Sequence, residues 1–264
     1  MKISVLCENT SKQPNIASEH GLSLFIETEK HNILFDMGQT DLFAKNAREM
    51  NIDLKTVDIA ILSHGHYDHG GGLPAFLAVN SRAQVWIQRQ AFRCHESRTL
   101  PPYRNIGLNS SLMAHPQVIL LDGDHIIDDT LSLFTVPDAS LCPSTANSNL
   151  YENGTPDRFL HEQNLLIHGD TPVLLMGCSH TGVVNILKAA PTVPKVCIGG
   201  LHLYSPARNQ TVAPSLMDDI AAHLAAYPEL RIYTGHCTGT EACEYLSRKL
   251  PHLRYLHGGE SLTL

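Results

Sequence analysis

Apolar and polar positions along this chain follow two periods. Residues 22–28 (LSLFIET) alternate, a polar EKHN turn follows, and ILFDMG at 33–38 runs into a loop. That pattern predicts strand, turn, strand. DLFAKNAREMN at 41–51 has helical spacing instead, and TVDIAIL at 56–62 is a β-branched run that reads as a buried strand. This strand leads straight into His64. LPAFLAV (73–79) predicts a short helix and AQVWIQ (83–88) a further strand.

The same order then recurs. NLLIHGDTPVLLMGCSHTGVVNILKAA (164–190) reads as strand, tight turn, strand, loop and helix, and VPKVCIGGLHL (193–203) as a buried strand ending in a histidine. Setting ILFDMGQT beside LLMGCSHT places Asp36 opposite Cys178. Setting VDIAILSHGH beside VPKVCIGGLH places His202 opposite His66 or its neighbour. The chain therefore predicts an α/β protein of two related β-β-α-β halves that deliver polar side chains from strand ends. An amphipathic helix (214–227), a strand (230–235) leading into His236 and a closing helix (240–250) follow.

Two stretches carry no period: 93–115, with a proline pair, and 137–158, rich in turn formers. The first reads equally as a substrate lid and as a surface excursion. The second is expected to pack over or near the site.

A length of 264 residues suits one domain, 1–264, with halves roughly 1–135 and 136–264. Hydrophobic content of 43% supports a full core. The net charge is -7 and no Lys/Arg-rich run occurs, which speaks against nucleic-acid and anionic-membrane partners. No apolar run approaches the ~20 residues a membrane helix needs. The opening MKISVL is too short for a signal-peptide core. Seven scattered cysteines without a C-x-x-C argue against a disulfide framework, so a cytoplasmic location is expected. Neither G-x-x-x-x-G-K-[ST] nor G-x-G-x-x-G occurs. The compositional outlier is histidine, with 16 residues.

Three of them lie in ILSHGHYDHGGG at 61–72. In an extended or tightly turning segment His64 and His66, two apart, point to one side and can grip one ion. Asp68 and His69 fall just beyond and can serve a second. Imidazole and carboxylate donors suit zinc, iron or manganese rather than calcium, with zinc foremost. Gly70, Gly71 and Gly72 permit the close backbone approach of such a turn.

The H-x-H-x-D-H motif resembles the metallo-β-lactamase superfamily of metal-dependent hydrolases, over essentially the whole chain. SEHGLSLFIET, ILFDMG, MGCSHTGVVNI, GGLHL and TGHCTG are similar to one branch. That branch includes 7,8-dihydropterin-6-yl-methyl-4-(β-D-ribofuranosyl)aminobenzene 5'-phosphate synthase, and most of its members are known only as metal-dependent hydrolases. The resemblance implies a four-layer αββα sandwich of two similar halves with a binuclear metal site. It implies His64 and His66 as ligands of the first metal and Asp68 and His69 of the second, which His236 completes. The third first-site histidine of many relatives, in a G-H-T motif, has no counterpart in FTVPDAS, and His180 in GCSH is the best substitute. Cys178 falls where many relatives carry a bridging aspartate, so that Cys178 or a water takes that place or the bridge is missing.

Other candidates are weaker. Asp36 reads as an orienter of a ligand histidine or as a further ligand. His202 reads as ligand, substrate contact, proton donor or structural histidine, and His20 as pocket lining or turn. Cys237 reads as buried filler. Cys94 and His95 lie in a polar run expected to be helical. His115, His125, His161, His168, His223, His252 and His257 carry no spacing signal and are assigned to the surface. Arg104 and Lys12 are the candidates to meet an anionic substrate.

Two divalent ions would lower the pKa of a bound water and supply hydroxide near neutral pH. In that reading Asp68 orients the nucleophile and His202 protonates the leaving group. The expected function is hydrolysis of a small ester or phosphoester. The alternatives are a transferase like the branch's synthase, with an anionic or pterin-like substrate, and a non-catalytic metal or ligand sensor.

Overall fold

The computed structural model describes residues 1–264. In chain order the first elements are β1 (Lys2–Cys7), β2 (Ser23–Glu27), β3 (Asn32–Phe35), α1 (Leu42–Glu49), β4 (Ile59–Ile61), α2 (Tyr67–Gly70), α3 (Leu73–Val79) and β5 (Gln84–Gln88). Next come β6 (His95–Ser97), β7 (Arg104–Asn105), β8 (Val118–Leu121), β9 (His125–Ile126), β10 (Leu131–Phe134), β11 (Leu150–Glu152) and β12 (Thr155–Pro156). The chain continues through β13 (Asn164–Ile167), β14 (Val173–Leu175), α4 (Val183–Ala189), β15 (Val196–Ile198), β16 (Tyr204–Ser205) and β17 (Gln210–Thr211). It closes with α5 (Pro214–Leu224), β18 (Arg231–Thr234), α6 (Thr240–Ser247), β19 (Leu253–Tyr255) and β20 (Ser261–Thr263). No helix is long and apolar enough to cross a membrane.

The chain forms two compact units, one of residues 1–93, 106–122 and 256–264, the other of residues 94–105 and 123–255. The first unit carries a seven-stranded sheet in the order β20-β1-β2-β3-β4-β5-β8. Pairing is antiparallel from β20 to β3 and parallel from β3 to β8. The β2–β3 hairpin has the register Leu24↔Phe35, which the predicted turn at 29–32 requires. Helix α1 buries Phe43, Ala44 and Ala47, one stripe at helical spacing, into a core with Leu6, Phe25, Leu34 and Phe76.

The second unit carries its own seven-stranded sheet, β19-β18-β15-β14-β13-β10-β9. Read from β9, its pairings run antiparallel three times and then parallel three times, the same succession as from β20 in the first unit. In that correspondence β3 matches β14 and β4 matches β15. Asp36 and Cys178, which the sequence repeat set opposite each other, follow the first of these pairs; the 64–66 segment and His202 follow the second. The core of this unit gathers Leu166, Leu174, Ile186, Ile220 and Leu246.

The two aperiodic stretches contain short strands. Parts of both form a four-stranded antiparallel sheet in the second unit, β12-β11-β6-β7. Arg98 stiffens it: its guanidinium holds Glu96 at 2.6 Å and lies over the Tyr103 and Tyr151 rings. Cys94 and His95 are therefore not helical, and His95 opens strand β6 fully buried.

Candidate metal centre

In the first unit the chemistry sits on the turns that leave β3 and β4. Asp36 follows β3 with φ 58, in the left-handed region, and is fully buried. Its Oδ1 accepts the Ser63 N–H at 2.7 Å. Its Oδ2 accepts the Ser63 hydroxyl at 2.7 Å and His69 Nδ1 at 2.6 Å. Ser63 Oγ in turn stands 2.9 Å from His64 Nδ1. One carboxylate thus fixes His69 directly and His64 through a hydroxyl, and the Nε2 of each ring becomes its lone-pair nitrogen. This carboxylate–histidine pairing is characteristic of metal-ligating imidazoles.

The His64 ring centroid lies 4.7 Å from that of His66 and 4.2 Å from that of His69. Asp68, in the short helix α2, approaches His20 Nε2 at 3.1 Å. The glycines are steric necessities. A Cβ on Gly72 would stand 2.0 Å from the Met37 carbonyl oxygen, and one on Gly71 2.2 Å from that of Gln39.

In the second unit Cys178 and His180 follow β14, His202 follows β15, and His236 and Cys237 follow β18. Ser179, His202 and His236 have φ values of 57, 49 and 48, in the left-handed region, as Asp36 does. Donor atoms of Cys178, His202 and Cys237 lie within 4.8 Å of one another, and the Cys237 thiol donates to the Cys178 carbonyl at 3.5 Å. The His180 ring stacks on Phe159, with centroids 4.6 Å apart, and stands 4.1 Å from that of His202. Asn147 grips His180 twice, with Oδ1 2.9 Å from Nδ1 and Nδ2 donating to the backbone carbonyl at 2.8 Å. Glu162 accepts the His180 and Thr181 N–H groups at 2.7 and 2.9 Å. Burial outweighs these bonds and raises the Glu162 carboxyl above its ordinary value. Both ring nitrogens of His202 are buried, with the Cys237 thiol as a neighbouring group. The donor chemistry of each unit fits divalent metal ions.

Asn147 and Glu162 escaped the sequence reading because neither stands in a spaced motif. His161, expected at the surface from its lack of spacing signal, is fully buried, as His95 is. Both face Asp157: His95 Nδ1 and His161 Nε2 each stand 3.2 Å from its Oδ2. Burial alone would raise the Asp157 carboxyl, but the bonds from His161 and His95 outweigh it and hold the group far below the usual carboxylate range.

The folded-state pKa of Asp157 is thus below the unfolded one. Its contribution is fully present above the ordinary carboxylate value of about 4 and is lost as pH falls below it. In metal-free protein, the thermal-stability advantage of the wild type over Asp157→Asn should narrow steadily below pH about 4. A constant gap in melting temperature down to pH about 2.5 would contradict this.

Strand-end turns that carry histidines and carboxylates on two sheets of matching pairing order define a metal-binding α/β scaffold. Residues 19–236 match the family described as the metallo-beta-lactamase superfamily, and the chain belongs to that superfamily. Its members are generally enzymes, and proteins of this fold bind divalent metals. A Methanocaldococcus jannaschii protein named 7,8-dihydropterin-6-methyl-4-(beta-D-ribofuranosyl)-aminobenzene-5'-phosphate synthase is 29% identical over 253 residues, 85% of this chain and 83% of its own. An uncharacterised protein of the same organism is 24% identical over 274 residues, 99% of this chain and all of its own. The crystal structure of a metal-dependent hydrolase of the β-lactamase superfamily superposes with a TM-score of 0.79 at 26% identity, covering 100% of this chain and 99% of that one.

Proposed function

We propose that this chain is a metal-dependent hydrolase of small ester or phosphoester substrates. His64, His66, Asp68, His69, His180 and His236 would hold two divalent ions, zinc foremost, with Cys178 as a further ligand in place of an aspartate. The observation that carries this reading is the Asp36–Ser63–His64/His69 network, which aligns two imidazoles as ligands before any ion arrives. The bound ions would supply an activated water and polarise the substrate oxygen. Asp36 fixes the His64 and His69 rings, while Asn147 and Glu162 fix His180. Asp68 is suited to orient the attacking water through its carboxylate. His202, buried beside the Cys237 thiol, is suited to deliver a proton to the leaving group. The single-domain reading of residues 1–264 and a cytoplasmic location accompany this proposal.

The 29%-identical synthase supports a second reading, transfer between a dihydropterin and a ribofuranosylaminobenzene phosphate. One experiment separates the two. Protein purified without chelator is assayed for metal by elemental mass spectrometry, then for turnover of nitrophenyl esters, a nitrophenyl phosphodiester and the synthase substrates. Hydrolysis that chelator abolishes and zinc restores is expected. Pterin-coupling turnover without hydrolysis would favour the synthase reading, and bound metal with neither activity would leave a binding role.

A further inference from the structure

The hairpin that follows His202 carries a guanidinium bonded only to uncharged oxygens. Strands β16 and β17 pair Tyr204 with Thr211 and Ser205 with Gln210, and the turn between them holds Arg208. The hairpin is braced within the second unit. At its base the Leu203 N–H donates to the Cys237 carbonyl at 3.0 Å, and the Val212 N–H donates to the Leu203 carbonyl at 2.9 Å. At its tip the Tyr204 hydroxyl donates to Asn209 Oδ1 at 2.7 Å.

Arg208 reaches from this hairpin to the 3-10 turn Thr145–Asn149, where its Nη2 donates to the Thr145 carbonyl at 2.7 Å. The residues flanking Thr145 hold two histidines. Ser144 Oγ donates to the His202 carbonyl, and Asn147 holds His180 at both its ring and its carbonyl. A 3-10 turn rises about 2 Å per residue, so these three attachment points fall within about 6 Å along it. One short ledge therefore carries His202, Arg208 and His180 in succession.

The charge balance is the second observation. The chain has a net charge of -7, and Arg89 and Arg98 are each closed on a carboxylate, Asp122 and Glu96. Arg208 bonds instead to the Thr145 carbonyl and, at 3.5 Å, to Ser205 Oγ. A guanidinium has five N–H donors, so both hydrogens of Nη1 and one of Nη2 stay available. That edge is the one that grips a carboxylate or phosphate through two parallel bonds.

We propose that Arg208 binds an oxyanion on the substrate, which makes anionic esters the substrate class. The inference rests on the hydrolase reading, in which His180 and His202 serve the reacting end of the same molecule. The Thr145 carbonyl holds the guanidinium beside those histidines before the substrate arrives, so little side-chain freedom is lost on binding.

The test measures, by calorimetry at low and high salt, the affinity of zinc-loaded protein for phenylphosphonate and for benzoate. Wild type, Arg208→Gln and Arg208→Lys are compared. Glutamine can still donate to the Thr145 carbonyl but carries no charge, which separates the anion contact from the bracing of the hairpin. Wild type should bind at least one oxyanion, and the tighter one tells phosphate from carboxylate recognition. Arg208→Gln should bind it about 10- to 100-fold more weakly, with a flatter dependence on salt. Arg208→Lys should fall between, because the charge remains and the fork is lost. Zinc content should match wild type in both variants. No binding by wild type, equal affinity in Arg208→Gln, or zinc loss in that variant would each overturn the inference. Arg208-dependent binding in a protein that turns over no ester would overturn the hydrolase reading and keep the oxyanion site.

Discussion

Asp36→Asn should weaken metal retention by the proposed centre 10- to 100-fold, measured by competition with a chromogenic chelator. The reason is a mismatch in donor count. Three donors converge on the Asp36 carboxylate: the Ser63 N–H, the Ser63 hydroxyl and His69 Nδ1–H. An amide of the same size offers one oxygen and turns an NH2 against at least one of them. The His69 ring then loses its anchor, or Ser63 does and His64 with it. The side chain is fully buried, so no water replaces the missing acceptor at low cost. Asp36→Ala should be worse, destabilising the fold by about 3–5 kcal/mol as a broken buried pair. Wild-type chelator competition in Asp36→Asn would show that the network is structural and does not tune the ligands.

Gly72→Ala should damage the fold itself. The position has ordinary helical dihedrals, so the backbone tolerates alanine. Space does not: the added carbon would meet the Met37 carbonyl at 2.0 Å, the Thr40 carbonyl at 2.6 Å and the Phe43 ring at 2.7 Å. Two of these neighbours are backbone and cannot rotate aside. The Met37 N–H bonds the His69 carbonyl at 2.7 Å, so any retreat drags the histidine-bearing turn with it. A cost of about 3 kcal/mol is expected, the upper range for overpacking. In a chain of this size that corresponds to a fall in melting temperature of about 6–12 °C. A calorimetric shift below about 2 °C would mean that the turn has slack the geometry does not show.

The main sheets were legible in sequence because β2, β3, β4, β5, β13, β14 and β15 are apolar runs between clear turns. The H-x-H-x-D-H motif was legible because its residues are local. The strands of the small sheet are two or three residues long, and Arg104 and Asn105 of β7 are exposed, so no hydrophobic period marks them. Asn147 and Glu162 act on His180 across 33 and 18 residues. Only the folded chain sets their distance, and no spacing within a window encodes it. His161 failed as a surface assignment for the same reason: its partner Asp157 is close in sequence, but His95 comes from a segment far upstream.

Asp36, Ser179, His202 and His236 share a backbone setting that L-residues seldom adopt, each at a φ near 50–60°. Each such residue stores on the order of 1–3 kcal/mol of strain. Heat tolerance and the proposed chemistry would consequently pull Asp36, His202 and His236 in opposite directions. Laboratory evolution that screened only for thermostability would drift toward glycine or asparagine there, and would produce a hardier protein without the proposed chemistry.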